Sequence, residues 1–312
     1  MSAANATADG AGDERVPLTA RQVTWRRRRA SAARTWKEFV RHRSGLFGLF
    51  MLILFTAVAI FAPLLVDSVG LSRTQAPGLP LEEPSSQYLL GTDEFGRPVL
   101  TLLIYGARVS LLVGLFATII SMVLGTLIGI ASGYWRGWLG AMLFRLTEWF
   151  LVIPFLPLAL VLATLLGGSL FTVGFVIGIT SWPGTALLIR AQTLSITARP
   201  YMERARVLGA GDWHQMTRHI LPNVMPMVFA NTTLTVAGAI LAETTLSFLG
   251  FGDPTSVSWG QMLAFANANG ALVQGFWVWL LVPGLALALL ITSLTFINFG
   301  VDLLSNPHLR EG

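Results

Sequence analysis

Across 312 residues there is no cysteine, a single lysine and little charge of either sign. Each shortage excludes something. Without cysteine there are no disulfides, thiolate metal sites or thiol nucleophiles, although the redox compartment stays open. The one lysine, Lys37, sits in Thr-Trp-Lys-Glu-Phe and not at the end of a glycine-rich turn, so the chain carries no phosphate-binding P-loop. Any nucleotide that drives it must bind to another chain. Charged residues amount to 12%, about half of the roughly 25% found in soluble globular chains. Hydrophobic residues amount to 54% and mean hydropathy is +0.65, which argues against a soluble fold. The net charge of +5 does not indicate nucleic acid, because ten of the 21 Lys and Arg fall between Arg15 and Arg43. That clustering flanks a membrane span instead of lining a face.

Six apolar runs are present, at 46–66, 110–131, 141–166, 171–189, 224–249 and 276–299. Each is close to or above the roughly 20 residues that cross hydrocarbon, so the expected fold is an all-α integral membrane protein with six transmembrane helices. The first run begins too late and is too long for the core of a cleaved signal peptide and reads as a retained span. The third is interrupted by Pro154 and Pro157, which predicts a kinked helix. Lys and Arg concentrate before residue 46, between Arg190 and Arg218, and at Arg136 and Arg310, which puts both termini on the cytoplasmic side. The expected organisation is a basic cytoplasmic segment 1–45, a membrane domain 46–305 with outer loops 67–99 and 250–275, a cytoplasmic hairpin 190–222 and a cytoplasmic tail 306–312. The small-residue, polar start to about Gly12 is expected to be disordered.

The hairpin is the most informative stretch. Pro200 suits a first helical position, and Met202, Ala205 and Leu208 recur at i, i+3 and i+6 until Gly209, which predicts one short amphipathic helix. Asp212 and Gln215 fit a capping box, and Trp213, Met216 and Ile220 continue the apolar pattern until Pro222, which predicts a second helix ending there. Such a unit can lie on headgroups or dock in a partner's groove.

At these residues the chain resembles a known family. Glu203, Ala205 and Gly209, followed by Ile220-Leu-Pro222, are similar to the cytoplasmic signature of ABC importer permeases, with Arg204 in place of one alanine of the usual Glu-Ala-Ala. Leu90-Gly-Thr-Asp-Glu-Phe-Gly-Arg97, Ile104-Tyr-Gly-Ala-Arg-Val-Ser-Leu111, Glu243-Thr-Thr-Leu-Ser-Phe-Leu-Gly250, Ser258-Trp-Gly260 and Pro283-Gly284 narrow the likeness to the second, or C, type subunit of dipeptide, oligopeptide and nickel permeases. The resemblance implies a type I importer permease fold in a bacterial plasma membrane, with peptides as the cargo; a nickel complex or another small solute is the alternative. It implies that the first hairpin helix is a coupling helix seated in an ATPase subunit, which assigns Met202, Glu203, Arg204, Ala205, Leu208, Gly209, Ala210 and Asp212 to coupling. It also implies a second permease, two ATPase subunits that bind ATP and Mg, and an extracytoplasmic capture protein. This chain then binds no cofactor and catalyses no reaction.

Other polar residues carry weaker expectations. Glu243, with Ser247 one turn on, lies inside the fifth span, where an ionisable group costs several kcal/mol unless paired or wetted; both are pathway or gate candidates. A proton-driven secondary carrier would use Glu243 as its titrating group, but no internal repeat supports one. An intramembrane hydrolase would need a base beside Ser121 or Ser247, and no His lies at that depth. Arg145 and Glu148 are spaced to pair. His214 and His219 are five apart, off the ligand spacing of an α-helix. Asp93 and Glu94 read as a solvated edge of the outer loop. Gly114, Gly125, Gly129 and Gly133 read as close-packing positions.

Overall fold

The computed structural model describes residues 37, 39, 40 and 42–305. The basic stretch up to residue 36 and the tail 306–312, with His308 and Arg310, lie outside the described residues. Among the latter the regular elements are helical, and the one β feature is an isolated antiparallel bridge between Thr92 and Pro98. Numbered from Arg43, the helices are α1 (Arg43–Leu65), α2 (Val99–Tyr134), α3 (Trp138–Val152), α4 (Phe155–Leu166), α5 (Leu170–Thr197), α6 (Pro200–Val207), α7 (Asp212–Phe248), α8 (Trp259–Ala268) and α9 (Trp277–Ser305). Helices α1, α2, α5, α7 and α9 are each long and apolar enough to cross a bilayer, and α3 with α4 adds a sixth crossing if the pair is one span.

The third apolar run is broken outright instead of kinked: α3 and α4 meet at 92°. Pro154 has no N–H to continue the ladder and pushes Ile153 into extended backbone (φ −72°, ψ 124°), which ends α3. With 15 and 12 residues, the two pieces extend about 22 and 18 Å, so neither crosses the roughly 30 Å of hydrocarbon alone.

Helix α2 is the axis of the bundle, packed on α5 along its length and on α7 and α1 beside it. Glycines permit the approach. A methyl group on Gly125 would lie 2.6 Å from Thr185, on Gly129 2.7 Å from the Ala186 carbonyl, and on Gly133 2.8 Å from Thr193. The α5 side reciprocates with Gly174 under Phe116 and Gly178 against Ile120. Dispersion and backbone proximity hold helices together where lipid removes the hydrophobic drive, so one methyl at these positions would force the pair apart. Outside the α2–α5 seam, Gly114 makes the same kind of contact with Ile240 of α7.

Helix α7 corrects a boundary. Pro222 does not end the helix that starts at Asp212; the chain passes through a π turn at Met216–Ile220 and continues to Phe248. In the π turn the N–H of Leu221 reaches back to the carbonyl of Met216. The wider turn relieves the clash between the proline ring and the preceding carbonyl that would break an α-helix.

Candidate functional site

Three polar constructions stand out: the hairpin at one end of the bundle, a groove along α5 and α7, and a platform at the opposite end.

The hairpin is α6, a tight turn and the start of α7. Gly209 adopts φ +85° and lets the chain reverse, with its N–H bonded to the Arg206 carbonyl and that of Ala210 to the Ala205 carbonyl, each at 3.0 Å. This is a Schellman ending, and the left-handed conformation is what glycine supplies. Met202 is fully buried and anchors α6 in a cluster with Ile196, Ile220 and Val224. Glu203 and Arg204 are exposed, and Ala205 and Ala210 half-buried. The i, i+3, i+6 pattern predicts Leu208 on the buried face, but α6 ends at Val207 and Leu208 is 86% exposed. Val207 (82%) and Trp213 (76%) join it in an apolar tip that no described residue covers.

Asp212 does not cap its helix, as the capping-box spacing predicts. Gly211 takes the cap position, and the Asp212 carboxylate accepts from the Tyr134 hydroxyl at 2.8 Å and the Trp135 indole at 3.3 Å. It therefore ties the hairpin to the end of α2. Gln215, expected at the helix start as a cap partner, is buried and donates to the Ala210 carbonyl at 2.6 Å. The π turn also brings His214 and His219 together, ring centroids 5.7 Å apart, with Tyr201 of α6 6.2 Å from His219. Residues five apart share a face in a π turn, which the α-helical count cannot anticipate. Among the described residues no group of three or more His, Asp and Glu could hold a metal.

The groove runs between α5 and α7. Two adjoining cavities of about 540 and 380 Å³ share Leu188, Asn231 and Leu234. Ser181, Thr185 and Thr235 add hydroxyls to the first; Gln192, Asn223 and Asn298 add amides to the second. Asn231 bridges the helices, its amide donating to Thr185 of α5 at 3.3 Å and to Thr235 of α7 at 3.4 Å. The sequence reading passes over these residues, although a signal is present. Asn223, Asn231 and Thr235 fall on one four-residue repeat, interrupted by Met227, a run of polar residues on an apolar helix of the kind that marks a wet or functional face.

Glu243 and Ser247 are not among the residues lining this groove. Glu243 is 2% exposed and accepts from Ser110 of α2 at 3.1 Å and from Ser247 at 2.7 Å. Ser258, the N-cap of α8, also faces it. The carboxylate thus fastens α2, α7 and α8 together.

The other motifs of the 67–99 and 250–275 loops converge on the same platform. Gly106 makes room for Trp259, whose indole donates to the Leu103 carbonyl at 2.9 Å. Gly250 ends α7 with φ +90° in a second Schellman turn. The 67–99 loop is no solvated edge: Asp93 is fully buried and paired with Arg97, Nη2 to Oδ2 2.6 Å and Nε to Oδ2 2.7 Å. Its other oxygen accepts the N–H groups of Phe95 (3.0 Å) and Arg97 (2.8 Å). Burial, and then the charge of Asp93, push the neighbouring Glu94 carboxyl up to about 7. Asp253 shows the opposite balance. Burial raises its carboxyl, but hydrogen bonds from the Thr255 hydroxyl and N–H and from the Leu170 N–H outweigh that and hold it below the usual range. By contrast Arg145 and Glu148 pair as expected, at 2.9 Å, on the surface.

Residues 125–311 match the family of binding-protein-dependent transport system inner membrane components, and residues 32–77 match the N-terminal transmembrane domain of oligopeptide transport permease C. The chain belongs to this permease family. It is 33% identical over 281 residues to the di/tripeptide transport system permease protein of Pseudomonas aeruginosa, covering 88% of this chain and 92% of that one. A Brucella abortus protein named for a peptide transport system permease is 34% identical over 279 residues, again 88% and 92% of the two chains. The permease is therefore a multi-pass inner-membrane transport component, and its family works with a separate binding protein.

Proposed function

We propose that this permease forms, with a second and similar permease, the membrane pathway of an ATP-driven peptide importer. The names of its relatives support peptides as the cargo. The distribution of Lys and Arg supports both termini on the cytoplasmic side, which puts the hairpin there and the 67–99 and 250–275 loops outside, facing a capture protein. The α5–α7 groove, lined by hydroxyls and amides without a formal charge, suits a pathway that passes peptides of varied side chain. It needs a second wall, which the partner permease supplies. Two ATPase subunits bind ATP and Mg and carry out hydrolysis; their closure pushes on α6, and the spans swing between inward and outward openings.

The observation that carries this reading is the hairpin tip. Val207, Leu208 and Trp213 are exposed at the end of a helix whose base is pinned by Met202 and by the bond from Tyr134 to Asp212. An uncovered apolar tip on a rigid base transmits a push into α2 and α7. The test is to replace Leu208 and Trp213 by Asp and measure both peptide uptake and retention of the ATPase subunits in detergent. Loss of both is expected with the permease fold intact; normal uptake and assembly would overturn the assignment. A proton-driven carrier finds no support, since the carboxylate it requires lies in the serine cluster away from the groove.

A further inference from the structure

A third cavity, of about 480 Å³, opens at the outer end of α2 and is lined by Arg73, Arg97, Tyr105 and Arg108 together with Leu71 and Val109. Its charges are unevenly matched. Arg97 is neutralised by Asp93. Arg73 lies over the Phe95 and Phe265 rings at 5.4 and 5.0 Å and donates to the Pro254 carbonyl at 3.3 Å, so its hydrogen bond goes to a neutral group. Its acidic neighbour is Glu94, whose carboxyl is only partly ionised near neutral pH. Among the described residues Arg108 makes no ion pair at all, and it is exposed. The cavity thus presents two guanidinium groups and a phenol, and among the described residues neither guanidinium is in an ion pair.

Its depth indicates which anion. Arg108 precedes the apolar run of α2 by two residues, so it stands at the headgroup level of the bilayer that this helix crosses. Directly below it, at i+4, i+7, i+11 and i+15, Leu112, Leu115, Ile119 and Val123 are each more than half exposed, one continuous apolar strip facing away from the bundle. An acidic solute in water would have no use for that strip. A lipid would use both parts.

We propose that Arg73, Tyr105 and Arg108 bind the phosphate of an anionic phospholipid whose acyl chains lie along Leu112, Leu115, Ile119 and Val123. The inference rests on the membrane crossing of α2 and not on the cargo or the coupling assignment. Native mass spectrometry of the full permease with its partner, titrated with phosphatidylglycerol against phosphatidylcholine, tests it. Retention of phosphatidylglycerol should fall about fivefold in R108Q and about thirtyfold in R73Q/R108Q, from about 1 kcal/mol per arginine near the surface. R108K, which keeps the charge, should restore it, and R136Q, at the opposite end of α2, should leave it unchanged. Equal retention by R73Q/R108Q and the parent would overturn the proposal. So would displacement of the lipid by a peptide with a free C-terminus but not by its amide, which would make the cavity a solute carboxylate site.

Discussion

The two ends of the bundle are built on different principles. At the platform end, apart from the cavity of Arg73 and Arg108, the groups that fasten helices are buried and matched within the chain: Asp93 with Arg97, Glu243 with Ser110 and Ser247, and Trp259 with the Leu103 carbonyl. At the hairpin end the polar tie from Tyr134 and Trp135 to Asp212 is partly open, and Val207, Leu208 and Trp213 are exposed. Since α2 and α7 run through both ends, one end is a fastened fixture and the other a lightly tied surface. The coupling proposed above needs that asymmetry, a firm grip at one end and a free contact at the other.

The contrast can be broken most severely at the fixture. Arg97→Gln leaves the buried Asp93 charge unpaired and should cost about 3–5 kcal/mol, read as a lower unfolding temperature in detergent and early proteolysis within 67–99. Glu243→Ala removes the acceptor shared by Ser110 and Ser247 and should cost about 2–3 kcal/mol, while Glu243→Gln, which keeps an acceptor oxygen, should unfold close to the parent and still support uptake. If Glu243→Gln abolishes uptake without loss of stability, the carboxylate does more than fasten helices.

At the hairpin the expected cost is smaller but falls on function. Gly209→Val strains a left-handed backbone by about 1–2 kcal/mol and should uncouple uptake from ATP hydrolysis; open space surrounds the position, so Gly209→Asn should be tolerated. Glu94 sharpens the comparison through pH. Its carboxyl, at about 7 against an ordinary 4.5, stabilises the loop most below that ordinary value and loses the contribution as pH rises through 7. Discounted for its partial exposure, the effect is of order 1 kcal/mol, and Glu94→Gln should flatten the pH dependence of proteolysis in 67–99. Smallest of all, Arg145→Gln should change stability by no more than about 0.5 kcal/mol, because that pair is exposed.

Much of this was legible in the residues because lipid imposes a simple rule: long apolar runs become helices. The crossings, the glycine seam of α2 and the Gly209 turn all follow from local chemistry. Features that escaped depend on partners distant in sequence. Asp212 has the spacing of a cap, yet Tyr134 lies 78 residues away and claims it. Asp93 and Glu94 look solvated until Arg97 and the packed loop remove water from them. Pro154 promised a kink, but with Pro157 close behind it the ladder could not resume in line. Ser181, Thr185, Asn231 and Thr235 gain meaning as a groove once α5 and α7 lie side by side.

The π turn at Met216–Ile220 also sets a phase. One added residue in a helical turn rotates everything on its N-terminal side by about 100° relative to the rest. The heading of Trp213 is therefore indexed by a residue count as well as by the Asp212 contact beside it, like a thread cut with one extra tooth. Deleting one residue there would leave the membrane helix intact and turn the tip to a different compass point. The exposed tip can be re-aimed in whole steps without any change in what it is made of.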